Sequence, residues 1–347
     1  MSTNSHLFTS LWFFFNLFFC SITFASASSS AISSDQIKFW SENVENQIPK
    51  PILKKLSPLS QKNCDYYSNL LLSKNSIHAA DANFCALAKL ACTSVFQKAN
   101  IVKDTYTREK TYGRFSAALH RHQDIKNEDP FAFYRLSALK EGKLIHLPHL
   151  KESLPDRAFL PQQMASKIPL NYDAISRIFP DSDISGKTKE TIQTTLAYCN
   201  AEAIQGETES CPKSLEEMVG FAKSTLGGKK VVALTTKNTR GSNSAVRIGK
   251  IKEYGGGKKI VACHEAFLPF AAYFCHSLSS TRLYAVDVVV DRETGSNVVN
   301  TMLGICHMDT SQWPKDHVAF QILKFGPGEG EACHWFTKLD LAWIADE

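Results

Sequence analysis

The chain has 347 residues, 44% of them apolar and 21% charged, with a formal net charge of +5. Those values are ordinary for a soluble globular protein and large enough for more than one folding unit, so disorder throughout is excluded. Ten cysteines and eleven histidines are few enough that their pairing along the chain carries information.

At the N-terminus, the apolar residues 11–24 are too few to cross a bilayer comfortably, and Ala25-Ser26-Ala27 places small residues at the spacing signal peptidase reads. Residues 1–27 are therefore expected to be a cleaved signal peptide, leaving a secreted protein with no stable membrane anchor. Secretion favours disulfides over thiolate-bound metal. Removal of Cys20 leaves nine cysteines, an odd number that implies one free thiol or an intermolecular bond. There is no Asn-x-Ser/Thr sequon, so N-linked glycans are not expected.

Residues 28–99 read as an N-terminal helical and irregular region. Residues 28–36 are Ser/Ala-rich with nothing to pack and suggest a flexible tail, while residues 39–44 suggest a short helix ended before Pro49 and Pro51. Residues 79–96 have helical composition and carry Cys85 and Cys92 seven positions apart. On a helix that is about 10.5 Å of rise, beyond the reach of a disulfide, which makes Cys64 the candidate partner of one of them. Residues 100–132 are polar and mixed in charge, and they read as a linker in which His120 and His122 are solvated.

In residues 133–170, Pro148, Pro155, Pro161 and Pro169 forbid long helices. Residues 186–201 form an amphipathic helix candidate. Ser214-Leu-Glu-Glu217 is a capping box opening a second helix that stops at Gly227-Gly228. Cys199 and Cys211 flank the loop between them and are predicted to bond, clamping the two helices together. After Gly228 the composition turns β-branched, predicting strands over 231–235, 246–251, 259–264, 283–290, 298–307 and 318–323. The fold class is thus α+β, with helices first and then a mainly antiparallel sheet.

The last third of the chain carries one repeated dipeptide, at Cys263-His264, Cys275-His276, Cys306-His307 and Cys333-His334. The intervals match no C-x2-C zinc module. Successive strand residues point to opposite faces, so each cysteine can enter the core while its imidazole faces the other way. Four such strands could place a covalent network on one side and a histidine cluster on the other. The spacing leaves the pairing among these four cysteines open.

These pairs resemble the signature of the plant BURP domain, and the resemblance runs from about residue 133 to the end, with a weaker one over residues 39–59. Cys263-His264-Glu-Ala, Tyr273-Phe274-Cys275-His276-Ser277, Cys306-His307-Met308-Asp309-Thr310-Ser311-x-Trp313, Gly326-Pro327-Gly328, Cys333-His334-Trp335 and Ala342-Trp343-Ile344-Ala345-Asp346 are similar to the branch typified by non-catalytic polygalacturonase beta subunits. The interval between His276 and Cys306 is 29 residues, slightly longer than is usual in that family. A hairpin tip over residues 291–297 is the predicted site of the extra length. The tandem Phe-x-x-Tyr repeats found in some members are absent from the 100–132 linker.

The resemblance implies three functions. The first is a secreted cell-wall factor, without catalytic activity of its own, that binds polygalacturonase, pectin or both. The second is a copper-dependent autocatalytic peptide cyclase, since some members cross-link aromatic residues of a peptide in their own N-terminal region. The third is a stress- or seed-associated structural wall protein. His264, His276, His307 and His334 are the candidate copper ligands, because imidazole suits Cu(II); their alternative role is as satisfied sheet residues beside disulfide cysteines. No repeated core peptide marks a cyclase substrate, and no Gly-x-Ser-x-Gly elbow, His-Glu-x-x-His, P-loop or solenoid repeat marks a hydrolase. Residues 221–260 are strongly basic. The candidate polyanion contacts there are Lys229, Lys230, Lys237, Arg240, Arg247, Lys250, Lys252, Lys258 and Lys259, with Glu253 the only acid in the stretch. In a secreted plant-like protein the matching polyanion is pectin rather than nucleic acid; the alternative is that these lysines protect strand edges.

Overall fold

The computed structural model describes residues 31–74, 77, 83–91, 132–148, 154–179, 186–237, 245–290 and 298–346. The predicted signal peptide, all of the 100–132 linker but Ala132, Cys92, Arg240 and the predicted hairpin tip at 291–297 lie outside the described residues.

The fold is α+β. Among the described residues four helices lead: α1 (Ile32–Asn43), α2 (Lys50–Leu53), α3 (Gln61–Lys74) and α4 (Phe84–Leu87). Strands β1 (Phe133–Tyr134) and β2 (Leu144–His146) precede α5 (Gln162–Ala165), α6 (Tyr172–Ile178), α7 (Gly186–Cys199), β3 (Glu207–Ser210) and α8 (Leu215–Leu226). Then follow β4 (Val231–Leu234), β5 (Ala245–Tyr254), β6 (Val261–Phe267), β7 (Ala271–Leu278), β8 (Thr281–Val290), β9 (Val298–His307), α9 (Val318–Leu323), β10 (Ala332–Trp335) and β11 (Leu341–Ala345).

The strands form two antiparallel sheets, one ordered β1-β10-β9-β8-β5-β2 and the other β3-β7-β6-β11-β4. They meet face to face over a thin apolar layer of Ile260, Ala262, Leu283, Leu303, Ile305, Phe336 and Ala342. The other face of the second sheet buries Val261, Cys263, Tyr273, Cys275 and Trp343 against Met218 and Val219 of α8 and Trp40 of α1. Being covered on both faces, β6 is buried at every position, which erases the period-2 alternation a half-exposed strand shows.

Local chemistry sets several boundaries. Ser214 accepts from the Glu217 amide at the start of α8, while the Glu217 carboxylate accepts from the Lys213 amide, and Gly227 ends the helix at φ 74°, where the missing Cβ relieves the left-handed conformation. Cys199 and Cys211 are bonded, as their spacing predicts.

Four expectations need correction. Residues 318–323 form α9 and not a strand: the His317 side chain accepts from the Ala319 amide as an N-cap, and Val318, Ala319 and Phe320 are buried against Phe133 and Trp313. A six-residue apolar run cannot be told from a buried helix turn by periodicity. The predicted tail at 28–36 is helical from Ile32, with Gln36 fully buried and its side-chain oxygen accepting from the Ser57 amide at 2.8 Å. Within 79–96 the described helix is confined to α4, and Lys89 at φ 52° turns the chain away. Cys64 takes no disulfide partner: it is a free, buried thiol, while Cys85 is disulfide-bonded.

The leading helices pack into the same cores as the sheets. Trp40 lies 5.6 Å from Trp343 between ring centres, and the Asn46 side chain both donates to the Ala233 carbonyl and accepts from its amide, covering the edge of β4 as a neighbouring strand would.

Candidate functional site: a histidine cluster between the sheets

Cys263 lies directly opposite Cys275 across β6 and β7, and Cys306 directly opposite Cys333 across β9 and β10. Both pairs are bonded, with Cα–Cα separations of 4.0 Å. Since neighbouring residues on a strand alternate faces, each bond turns its two histidines to the opposite face as a diagonal pair. His264 and His276 have ring centres 5.5 Å apart, and His307 and His334 5.7 Å apart.

The two sheets then bring the pairs together. His264 lies 5.5 Å from His334 and His276 5.9 Å from His307, closing a ring of four imidazoles in the layer between the sheets. The disulfides are therefore not one network on one side: they lie on the two outer faces of the sandwich, with the histidines between them. All four rings are buried. Phe274, Trp313 and Phe336 border them, and a fifth histidine, His317, lies tilted against Trp313 with ring centres 4.3 Å apart.

Burial, and then the neighbouring imidazoles, hold His307 and His334 well below the ordinary histidine value, so both rings are neutral at neutral pH. Two buried carboxylates reach in from outside: Glu207 Oε1 lies 3.0 Å from His276 Nδ1, and Asp340 Oδ1 lies 3.4 Å from His264 Nδ1. Burial pulls the Asp340 carboxyl up, but His264 and the Thr337 amide outweigh it and hold the group below its usual value. Neither carboxylate was legible in the sequence, because Glu207 reaches the cluster only through the pairing of β3 with β7, and Asp340 only through the turn before β11.

The residue types suit a borderline or nitrogen-preferring cation such as copper: four imidazoles, two of them with a carboxylate near Nδ1. The spacing is open. Two neighbouring imidazoles on one ion, with bonds of about 2.0–2.1 Å and a right or tetrahedral angle between them, have ring centres about 4.5–5 Å apart, closer than the adjacent pairs here. Accordingly, among the described residues no three His, Cys, Asp or Glu side chains stand already arranged around a common metal position.

The predicted cationic residues fall on both sheets. Lys229 and Lys230 precede β4, where Lys230 pairs with Glu45 at 3.2 Å, and Lys237 is exposed just after it. Arg247, Lys250 and Lys252 are exposed along β5, and Lys258 and Lys259 are exposed in the turn to β6. Lys252 lies over the Tyr254 ring at 4.6 Å.

Two disulfide-stapled antiparallel sheets enclosing four Cys-His histidines, with a helical layer on one side, define the class. The BURP domain profile matches residues 132–345, more than half of the chain, and the chain belongs to the BURP family. It is 37% identical over 260 residues to the polygalacturonase-1 non-catalytic subunit beta of Solanum lycopersicum, covering 71% of this chain and 40% of that protein. It is 40% identical over 225 residues to the polygalacturonase 1 beta-like protein 1 of Arabidopsis thaliana, covering 63% of this chain and 35% of that one. The chain thus spans about two fifths of the length of these relatives. With BURP domain-containing protein 16 of Oryza sativa the match is 29% identical over 317 residues and covers 89% of this chain and 88% of the rice protein. No helix among the described residues is long and apolar enough to cross a membrane.

Proposed function

We propose that this protein is a secreted, non-catalytic wall factor of the polygalacturonase beta-subunit type, which binds pectin, polygalacturonase or both and modulates pectin breakdown in the apoplast. The observation that carries this reading is the match to named non-catalytic polygalacturonase subunits over 70% or more of the chain. The exposed cations of β5 and the turn after it supply a surface for unesterified galacturonate, held by screened electrostatics. Reversing Lys250, Lys252, Lys258 and Lys259 together to Glu is expected to weaken retention on demethylated pectin several-fold, and added salt to abolish retention of the parent. Binding indifferent to ionic strength would remove pectin from this account, leaving co-purification with polygalacturonase as its remaining test.

A second reading is favoured by the closed ring of imidazoles: His264, His276, His307 and His334 hold one or two copper ions. Copper there would supply the redox chemistry that a peptide cyclase needs, while the chain's own residues bind it and keep water from the layer between the sheets. Metal analysis of the secreted protein and of the four single His→Ala variants is expected to show copper in the parent and less in each variant. A metal-free parent, or four variants with unchanged copper, makes the cluster structural.

A further inference from the structure

Strand β5 carries one irregularity, and it sorts charge. Between Ile248 and Ile251 two residues, Gly249 and Lys250, oppose the single residue Asp287 of β8. Such a β-bulge shifts the alternation of side chains by one residue. Val246, Ile248 and Ile251 therefore all point into the apolar layer on the outer face of the first sheet, while Arg247, Lys250 and Lys252 lie exposed on the other face. Glu253, the one acid of the strand, falls opposite Tyr284 on the apolar-layer side and is turned away from these cations. The bulge is closely packed: a Cβ at Gly249 would stand 3.2 Å from the Asp287 Cβ and 3.3 Å from the Asp287 carbonyl oxygen.

The sheet between the cations is low. On β8, Tyr284, Val286 and Val288 are buried, whereas Ala285, Asp287 and Val289 are half-buried on the cationic face. Thr301 of β9 lies directly opposite Asp287, and its hydroxyl donates to Asp287 Oδ1 at 2.8 Å. At the far edge of β9 the Lys237 amide donates to the Thr301 carbonyl at 3.1 Å, which sets an exposed lysine beyond this floor. Lys250 and Lys237 are thus three strand spacings apart, about 14 Å, with only short side chains between them. Among the described residues no carboxylate is in ion-pair contact with Lys237, Lys250 or Lys252.

We infer that this face of β5, β8 and β9, flanked by Lys250 and Lys252 on one side and by Lys237 on the other, holds an extended polyuronate chain. A compact anion cannot reach cations about 14 Å apart, whereas a polymer with a carboxylate on each sugar can. The floor of short side chains lets its rings approach the sheet. The attraction is electrostatic and screened by salt. Asp287, the acid on the floor, works against it. The inference rests on the pectin reading and narrows its surface: the lysines of the turn after β5 and those before β4 lie outside this face and add only to the overall field.

The test measures retention of the full secreted chain on demethylated pectin at low salt, with methyl-esterified pectin as the uncharged reference. The combined variant Lys237→Glu, Lys250→Glu, Lys252→Glu is expected to lose most of the retention. The combined variant Lys229→Glu, Lys258→Glu, Lys259→Glu, which changes net charge equally, is expected to keep most of it. Asp287→Asn, whose amide oxygen still accepts from Thr301, is expected to strengthen retention several-fold, a gain that misfolding cannot produce. Glu253→Gln makes the same charge change on the opposite face and is expected to stay near the parent. Equal losses in the two triple variants, or equal gains in the two single ones, overturn the inference, because net charge alone would then govern binding. A face variant that keeps its retention but no longer co-purifies with polygalacturonase overturns it too, and gives the face to the enzyme. A parent that demethylated pectin does not retain sinks the pectin reading together with the inference. A retained, salt-sensitive parent with an unaffected face variant sinks the inference alone.

Discussion

Glu265→Gln is expected to destabilise the protein by about 3–5 kcal/mol, the range for stranding a buried charge by removing its partner. Glu265 lies on β6 next to His264, facing the helical side, where its Oε1 meets Lys55 Nζ at 2.5 Å and Arg157 Nη2 at 3.2 Å. The three side chains are 2%, 6% and 0% exposed in the order Glu265, Lys55, Arg157. Arg157 is further held by the carbonyls of Pro155, Ala266 and Phe270, while burial pulls the Lys55 ammonium below its ordinary value. The triad contains two cations and one anion, so the order of effects is asymmetric. Removing Glu265 strands two buried positive charges, whereas Lys55→Met leaves a balanced Glu265–Arg157 pair and removes a group already costly to keep charged. Denaturant melts of the two variants decide the matter. A Lys55→Met variant as unstable as Glu265→Gln would mean that Lys55 acts chiefly by anchoring the 44–59 segment, and that the charge argument is wrong.

That triad also shows where the sequence stops being informative. Lys55 and Glu265 are 210 positions apart, and nothing near either residue distinguishes it from a surface charge. The Cys-His dipeptides were legible because strand alternation is a local rule: it separates each cysteine from its histidine whatever the topology. Whether the four histidines meet is a question of sheet order, and the β3-β7-β6-β11-β4 arrangement, which delivers both Glu207 and Asp340, follows from pairings between distant segments. Helix α8 could be read from its cap residues alone, Ser214, Glu217 and Gly227. Helix α1 could be read only in its second half, where a short helix was expected from residue 39, since its polar beginning is fixed by tertiary docking, with Gln36 closing on Ser57. Strand β7 lacked the alternating pattern of β8 because both of its faces are covered. The two predicted roles of the histidines, metal ligands or satisfied sheet residues, also depended on neighbours invisible to local reading.

Replacing Cys306 and Cys333 together with Ser is expected to cost about 3.5 kcal/mol, against about 3 kcal/mol for the Cys263/Cys275 or the Cys199/Cys211 double replacement. The ranking follows from chain entropy: the first bond closes a sequence separation of 27, the other two separations of 12 each, and a longer closed loop restricts the unfolded chain more. Replacing both cysteines of a pair avoids a stray thiol that could exchange with the free Cys64. The consequences for the site should differ even where the energies agree. Cys199–Cys211 ties α7 to the segment before α8 and contains no Cys-His residue. The other two bonds each fix the backbone beneath a pair of cluster histidines, so their loss should broaden the imidazole signals of His307 and His334, or of His264 and His276, while the remaining pair stays sharp. Equilibrium denaturation of the three double variants, alongside NMR spectra of the histidine imidazoles, tests both parts. If loss of Cys199–Cys211 disturbs the histidines as much as loss of either cross-strand bond, the cluster is held by the fold as a whole and not by the bonds beside it.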